Sequence, residues 1–358
     1  MRVVAAVAGV TLVALVLIDA FETVVLPRSV SWRFRLTRVY FQATWRAWTA
    51  FARRVDRVAR RERFLAVFGP FSLLGLLAVW AAALILSFSA LQWSADALSA
   101  GDALFISGTL FFTLGFDTLH PVSGLARVLA VVEGGMGFGF LALVLAYFPV
   151  LYQSFSRREV RLTLLDAWAG SPPAAGEVLR RLARAGELPA LEHFLRDWEV
   201  WCSELLESGI SYPVVAYFRS QHQRQSWVSA LTTVLDLTAL LRVGIDGLPS
   251  WQARATFAIA RHAAVDLSQV FRADPDFSCD RLDDEALERL RRHLEAAGLR
   301  PRRSPEADAQ LRELRRSYEP FVSGLSRSMM MPLPAWWRDE PAKDNWETSP
   351  KRPADGHL

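Results

Sequence analysis

The sequence predicts an all-α membrane protein, and three observations carry that prediction. Residues 64–95 contain no charged side chain. Residues 125–152 form a second apolar run, charged only at Arg127 and Glu133. Beyond residue 157 apolar side chains recur at helical spacing and strand signals are nearly absent. A bilayer core needs about 20 apolar residues in a helix, so each of the two runs accommodates one spanning helix. At 358 residues and 52% hydrophobic, the chain is long enough for two domains and unusually apolar for a soluble one.

A third apolar stretch, 3–26, is interrupted by Asp19 and Glu22. These carboxylates lie three apart, on one helical face. Carboxylates within a bilayer are costly and mark ion or proton pathways, but their nearness to Arg28 and the helix end favours a place at the inner interface. Arg2, the apolar core and the small Ala20 also fit a cleaved leader. The next segment argues against cleavage: residues 28–63 hold eleven arginines against Asp56 and Glu62, which places them on the cytoplasmic side. A retained transmembrane helix over 1–27, its N-terminus outside, satisfies that rule. The 64–95 helix then runs outward, 96–124 is external, and the next helix returns inward to Arg157, Arg158 and Arg161. The expected location is a cell inner (plasma) membrane, multi-pass, with the C-terminal domain cytoplasmic.

Within the basic connection 28–63, Phe41, Trp45, Trp48, Val55 and Val58 recur at helical spacing among arginines. This predicts an amphipathic helix lying on the anionic inner leaflet of the lipid bilayer, each nearby arginine contributing about 1 kcal/mol. The same charge would suit nucleic acid, but tethering between two membrane spans argues against such a partner. The cationic residues are almost all arginine, only Lys343 and Lys351 being lysines, a bias that a GC-rich genome produces by itself. Cys202 and Cys279 form no metal or disulfide pattern.

The segment 102–114, "DALFISGTLFFTL", is apolar but too short to span a bilayer. Between two spanning helices it predicts a re-entrant helix, tolerated where irregular backbone is buried in protein or lines a water-filled path. It leads into Thr113, Leu114, Gly115, Phe116, Asp117 and Thr118, with Pro121 following. A dehydrated cation needs oxygens in place of its water, and rings of backbone carbonyls with a Thr hydroxyl supply them. Alternate residues of such a loop take positive φ, which Gly115 does freely.

This order of helix, re-entrant helix, loop and helix resembles the pore module of the potassium channel family. The filter of that family reads Thr-Val-Gly-Tyr-Gly-Asp, with a proline three residues after the Asp. Thr113, Leu114, Gly115 and Phe116 match its first four positions. Asp117 stands where the second Gly belongs, Thr118 where the Asp belongs, and Pro121 matches the Pro. "SGLARVLAVVEGGMGFGFLAL" is similar to the inner helix of bacterial two-helix channels, and "DAFETVVLPR" looks like the start of uncharacterised bacterial members. The resemblance spans roughly 1–155, under half the chain.

The resemblance implies passive conduction of a monovalent cation, potassium as the permeant ion, with no cofactor, no other metal and no enzymatic activity. One chain supplies one loop, so a pore implies a homotetramer. Thr113 to Phe116 would coordinate the ion, Phe116 taking the packing role of the Tyr without its hydroxyl. Thr118 and Pro121 would line the outer mouth. Asp117 is the departure: an L-residue at positive φ costs about 1–2 kcal/mol, and four carboxylates would ring the mouth. A selective filter with an altered outer site, a less selective cation pore and a collapsed loop all remain open. The competing function is a non-conducting, channel-like membrane sensor or scaffold acting through its cytoplasmic domain.

Along the inner helix, Gly134, Gly135, Gly137 and Gly139 allow either bending or close packing, and Pro149 removes a backbone donor. Gly135, Gly139 and Pro149 are the candidate hinge or gate. Glu133 is expected to bond to the pore-loop region, as intramembrane acids avoid lipid. The pore domain is thus placed at 64–155, a helical cytoplasmic domain at 156–330 and a disordered tail at 331–358. In the helical domain, segments near 176–208, 212–243, 250–272 and 283–297 are periodic. Leu179, Leu182, Leu188, Leu191, Phe194, Leu195 and Trp198 fit one buried face. His193, His222, His262 and His293 fall on different predicted helices and no spacing specifies a metal or catalytic site; for the polar phrase "SQHQRQSW" around His222 a buried hydrogen-bonded network is expected over a regulatory contact.

Overall fold

Where the long uncharged runs lie, the backbone must satisfy its own hydrogen bonds, and helices do so. The computed structural model describes residues 1–24, 36–96, 98–115, 120–220, 225–248 and 250–338. The chain divides into two units, Met1–Gln153 and Ser154–Leu358. Through the first run α1 (Arg2–Val24), α2 (Leu36–Ala52), α3 (Val58–Ala95) and α4 (Ala100–Phe111); α5 (Gly124–Ala169) passes from the first unit into the second. Of these, α1, α3 and α5 are long and apolar enough to cross a membrane. No strand occurs among the described residues, apart from one isolated bridge between Ile245 and Pro301.

α1 and α2 both pack along α3. Gly9 of α1 lies so close that an added Cβ would stand 2.8 Å from the Ser87 carbonyl oxygen. At the other end of α1, Asp19 is buried by protein. It accepts hydrogen bonds from the Trp80 indole of α3 at 2.9 Å, and from the Thr37 hydroxyl and amide of α2 at 2.6 and 3.1 Å. One carboxylate therefore joins three helices. α2 ends at Ala52, so Val55 and Val58 do not belong to its apolar face. That face is covered by protein: Trp48 stacks on Phe64 at 4.5 Å and Trp45 meets Phe68 edge-on at 4.7 Å. Aromatic packing against α3 has taken the side expected to lie on lipid.

The second unit continues from the end of α5 through α6 (Ala175–Ala185), α7 (Ala190–Ser211), α8 (Trp227–Val243), α9 (Ser250–Val270), α10 (Asp284–Ala296), α11 (Pro305–Arg316) and α12 (Glu319–Met329). The periodic segment at 176–208 is two helices, because Gly186 takes a left-handed conformation (φ 71°) and stops α6. The expected buried face survives on both, except that Leu188 in the connection is only half-buried. α8 is buried on every side but Arg242, as befits the central helix of a bundle.

α11 and α12 were not anticipated beyond residue 297, where charge and proline obscure the helical pattern. Ser304 caps α11 by accepting from the Ala307 amide at 3.2 Å. Residues 331–338, expected to belong to a disordered tail, are instead packed: Met331 and Trp336 are buried and the Trp336 carbonyl accepts from the Gly176 amide at 2.8 Å. Two large apolar side chains outweigh the proline content there. The rest of that predicted tail, 339–358, lies outside the described residues.

Candidate ion-conduction site

The site is built around α4. Ser99 caps it by accepting from the Asp102 amide at 3.1 Å while donating to the Asp102 carboxylate at 2.7 Å, a reciprocal cap that fixes where the helix starts. Its C-terminus closes just as definitely. The Thr113 amide bonds to the Leu110 carbonyl and the Leu114 amide reaches back to that of Thr109, at 3.0 and 2.8 Å. This is a Schellman termination, and it sets Thr113 at φ 55° in the left-handed position usually given to Gly. Gly115 follows at φ 63°. Thr113 and Gly115, two residues apart, therefore both carry positive φ. A β-branched residue in that region is strained, and strain of this kind concentrates at functional sites. Phe116, Asp117 and Thr118 lie outside the described residues.

The return from α4 to α5 is anchored by a residue the sequence does not single out. Asp96, at the end of α3, accepts from the Val122 and Ser123 amides at 2.8 and 2.9 Å. The Val122 amide foremost, with Ser123 and Arg127, holds this carboxyl below its ordinary range against the opposing effect of burial. Ser123 in turn caps α5 through the Ala126 amide, and the Gln92 side-chain amide donates to the Ala126 carbonyl at 3.3 Å. The Pro121 carbonyl accepts from the Arg127 guanidinium at 3.4 Å. A short acidic residue after an apolar helix is an ordinary cap signal, and nothing local reveals a partner 26 residues on.

Deeper in the unit, the fully buried Glu133 of α5 contacts the Ser107 hydroxyl of α4, as expected of it. Gly137 presses on the backbone of Phe111, leaving no room for a Cβ. Gly135 and Gly139 have open space around them, and α5 continues as a helix through Pro149. Beside the end of α4 lies a mainly apolar cavity of about 330 Å³, reached by Leu77, Phe111, Thr113, Gly137 and Phe140. Val131, Phe138, Leu145 and Tyr152 line up at seven-residue intervals on α5, each about two-thirds exposed or more. Such a spacing keeps an apolar seam on one face of a helix.

The second unit gathers no comparable chemistry. His193 and His262 are exposed and face only Asp197 and Asp266 one turn away, while His293 lies against Trp337. His222 lies outside the described residues. Among the described residues no group of His, Cys, Asp and Glu is placed to hold a metal. Burial pushes the Cys202 thiol well above its ordinary range. The unit instead centres on Asp236 of α8, fully buried, which accepts from Arg281 and from the Tyr318 hydroxyl at 2.7 Å each.

Comparison with known proteins bears on the first unit. No curated protein and no solved structure matches the chain. The family model described as ion channel matches residues 74–153, from within α3 through α4 to the middle of α5. With three membrane-length helices and this match, the chain is a membrane protein whose first unit is similar to ion channels.

Proposed function

We propose that the first unit conducts a monovalent cation, potassium foremost, through a homotetrameric pore. The alternation of left-handed backbone at Thr113 and Gly115 carries this reading. It occurs in a loop leaving a short capped helix, between two helices long enough to span a bilayer. Thr113, Leu114, Gly115 and Phe116 would present the coordinating oxygens, with Asp117 forming the outer ring and Thr118 and Pro121 the mouth. One loop cannot surround an ion, so four copies are needed. The apolar seam Val131–Phe138–Leu145–Tyr152 offers those copies a face to share or to give to lipid. The arginine-rich connection would sit in the cytoplasm of a bacterial cell, beneath an anionic leaflet, with the C-terminal unit on the same side.

Purified protein in liposomes tests this directly, by comparing potassium with sodium flux. Potassium-selective flux that a bulky residue at Gly115 abolishes is the expected result. Absence of flux at every pH and voltage, with Asp117→Gly creating it, would favour a channel-like sensor or scaffold instead.

A further inference from the structure

Ser107 of α4 has one hydroxyl proton and two oxygen neighbours. Its Oγ lies 2.7 Å from the main-chain carbonyl of Ile85 in α3, and it also contacts Oε1 of Glu133 in α5. The carbonyl can only accept. A hydroxyl that donates to it has no proton left for Glu133, so the second contact needs a proton from the carboxyl. The other carboxyl oxygen, Oε2, is buried with no hydrogen-bond partner among the described residues. An ionised carboxylate would leave that oxygen charged and unsolvated, whereas the neutral acid asks much less of its surroundings.

Among the described residues, α3, α4 and α5 offer Glu133 no compensating charge. α3 carries no charged residue between Phe64 and Ala95, and α4 carries only Asp102, in its first turn. On α5 the nearest charged residue is Arg127, also near the helix start, and its guanidinium is directed to the Pro121 carbonyl.

We propose that Glu133 is a positioning residue held as the neutral acid, whose proton completes a relay Glu133–Ser107–Ile85 that pins α4 between α5 and α3. Ser107 lies less than two turns ahead of Thr113, so the relay sets where the filter loop begins. It rests on the pore reading for its consequence, but its chemistry can be tested apart from conduction.

Infrared difference spectra of the full-length protein in detergent, wild type minus Glu133→Gln, read the proton directly. At neutral pH the expected signal is a protonated-carboxyl C=O stretch that shifts in D2O. Loss of carboxylate bands alone overturns the proposal. In liposomes, wild-type potassium flux should fall as pH rises, while Glu133→Gln, which keeps a donor to Ser107 and cannot ionise, should lose that decline. Ser107→Ala should lower flux across the whole range. An alkaline decline identical in wild type and Glu133→Gln would refute the positioning role. A protonated-carboxyl band in a protein without flux would leave the relay standing and remove the pore reading instead.

Discussion

Asp19 of α1 and Trp80 of α3 meet at 2.9 Å, carboxylate to indole, in the interior of the first unit. The same carboxylate takes both donors of Thr37 at the start of α2. Removing it by Asp19→Ala strands three donors, one buried and two part-buried, and should destabilise the protein by about 3 kcal/mol. Trp80→Phe removes one donor and keeps most of the ring, so a smaller loss of about 1 kcal/mol is expected. The double variant should lose less than the sum of the singles. Thermal unfolding in detergent measures all three, and strict additivity would show that the pair does not interact.

The glycines of α5 divide by their surroundings. Gly137 faces the Phe111 backbone, so Gly137→Ala must push α4 and α5 apart, costing about 1–3 kcal/mol and disturbing the filter loop. Gly135→Ala and Gly139→Ala meet open space and should stabilise the helix by about 0.5–1 kcal/mol. Unfolding midpoints with flux measured alongside separate packing from bending. If Gly135 or Gly139 is a hinge, its alanine variant gains stability and loses flux.

How far these relationships could be read beforehand depends on sequence distance. The spanning helices were legible because 64–95 and 125–152 have almost no charge to bury. The positive φ of Gly115 was legible because glycine adopts it freely. Thr113 was not recognised as the other left-handed residue, since its φ comes from how α4 terminates. The partners of Asp19 are not legible locally, because they lie 18 and 61 residues away. Asp236 is hidden in the same way: it lies in a helix buried on almost every side, and the arginine that neutralises it comes 45 residues later. Periodicity reveals which face is buried; it does not reveal what covers it, which is why the apolar side of α2 was assigned to lipid.

Asp96 makes the connection between α4 and α5 sensitive to acid. Its carboxyl titrates lower in the folded protein, chiefly because the Val122 amide donates to the ionised form. A depressed folded pKa contributes stability that is complete above the unfolded value of about 3.9 and is lost as pH falls through the folded value. Wild type should therefore exceed Asp96→Ala in unfolding temperature at neutral pH, with the gap closing below about pH 4. A gap that stays constant down to about pH 2 would mean that the ionised carboxylate is not what holds Val122 and Ser123.

In the second unit, Arg281 grips Asp236 through two nitrogens, at 3.1 and 2.7 Å, and also donates to the Pro334 carbonyl. Neighbouring Asp236 holds the guanidinium firmly charged despite its burial. Arg281→Met leaves a buried carboxylate with, among the described residues, the Tyr318 hydroxyl alone, and should cost about 3–5 kcal/mol. It should also release residues 331–338, whose contacts include this arginine. Limited proteolysis followed by mass spectrometry checks the second effect. Cleavage near Pro334 should appear in Arg281→Met before the helices are cut, and equal protection of that segment in both proteins would contradict the assignment.

Thr113 sets stability against function in a single residue. Its φ of 55° closes α4 in a conformation that Gly adopts without strain, and Thr does so at about 1–2 kcal/mol. Thr113→Gly should therefore raise the unfolding free energy by about 1 kcal/mol, although it adds freedom to the unfolded chain. It also deletes the hydroxyl proposed to form the innermost oxygen ring. The expected outcome is a more stable protein with weaker preference for potassium over sodium. Thr113→Ser keeps the hydroxyl and lightens the strain, so selectivity should persist. Should Thr113→Gly instead conduct and select like wild type, the hydroxyl takes no part in coordination and Thr113 serves only to end α4.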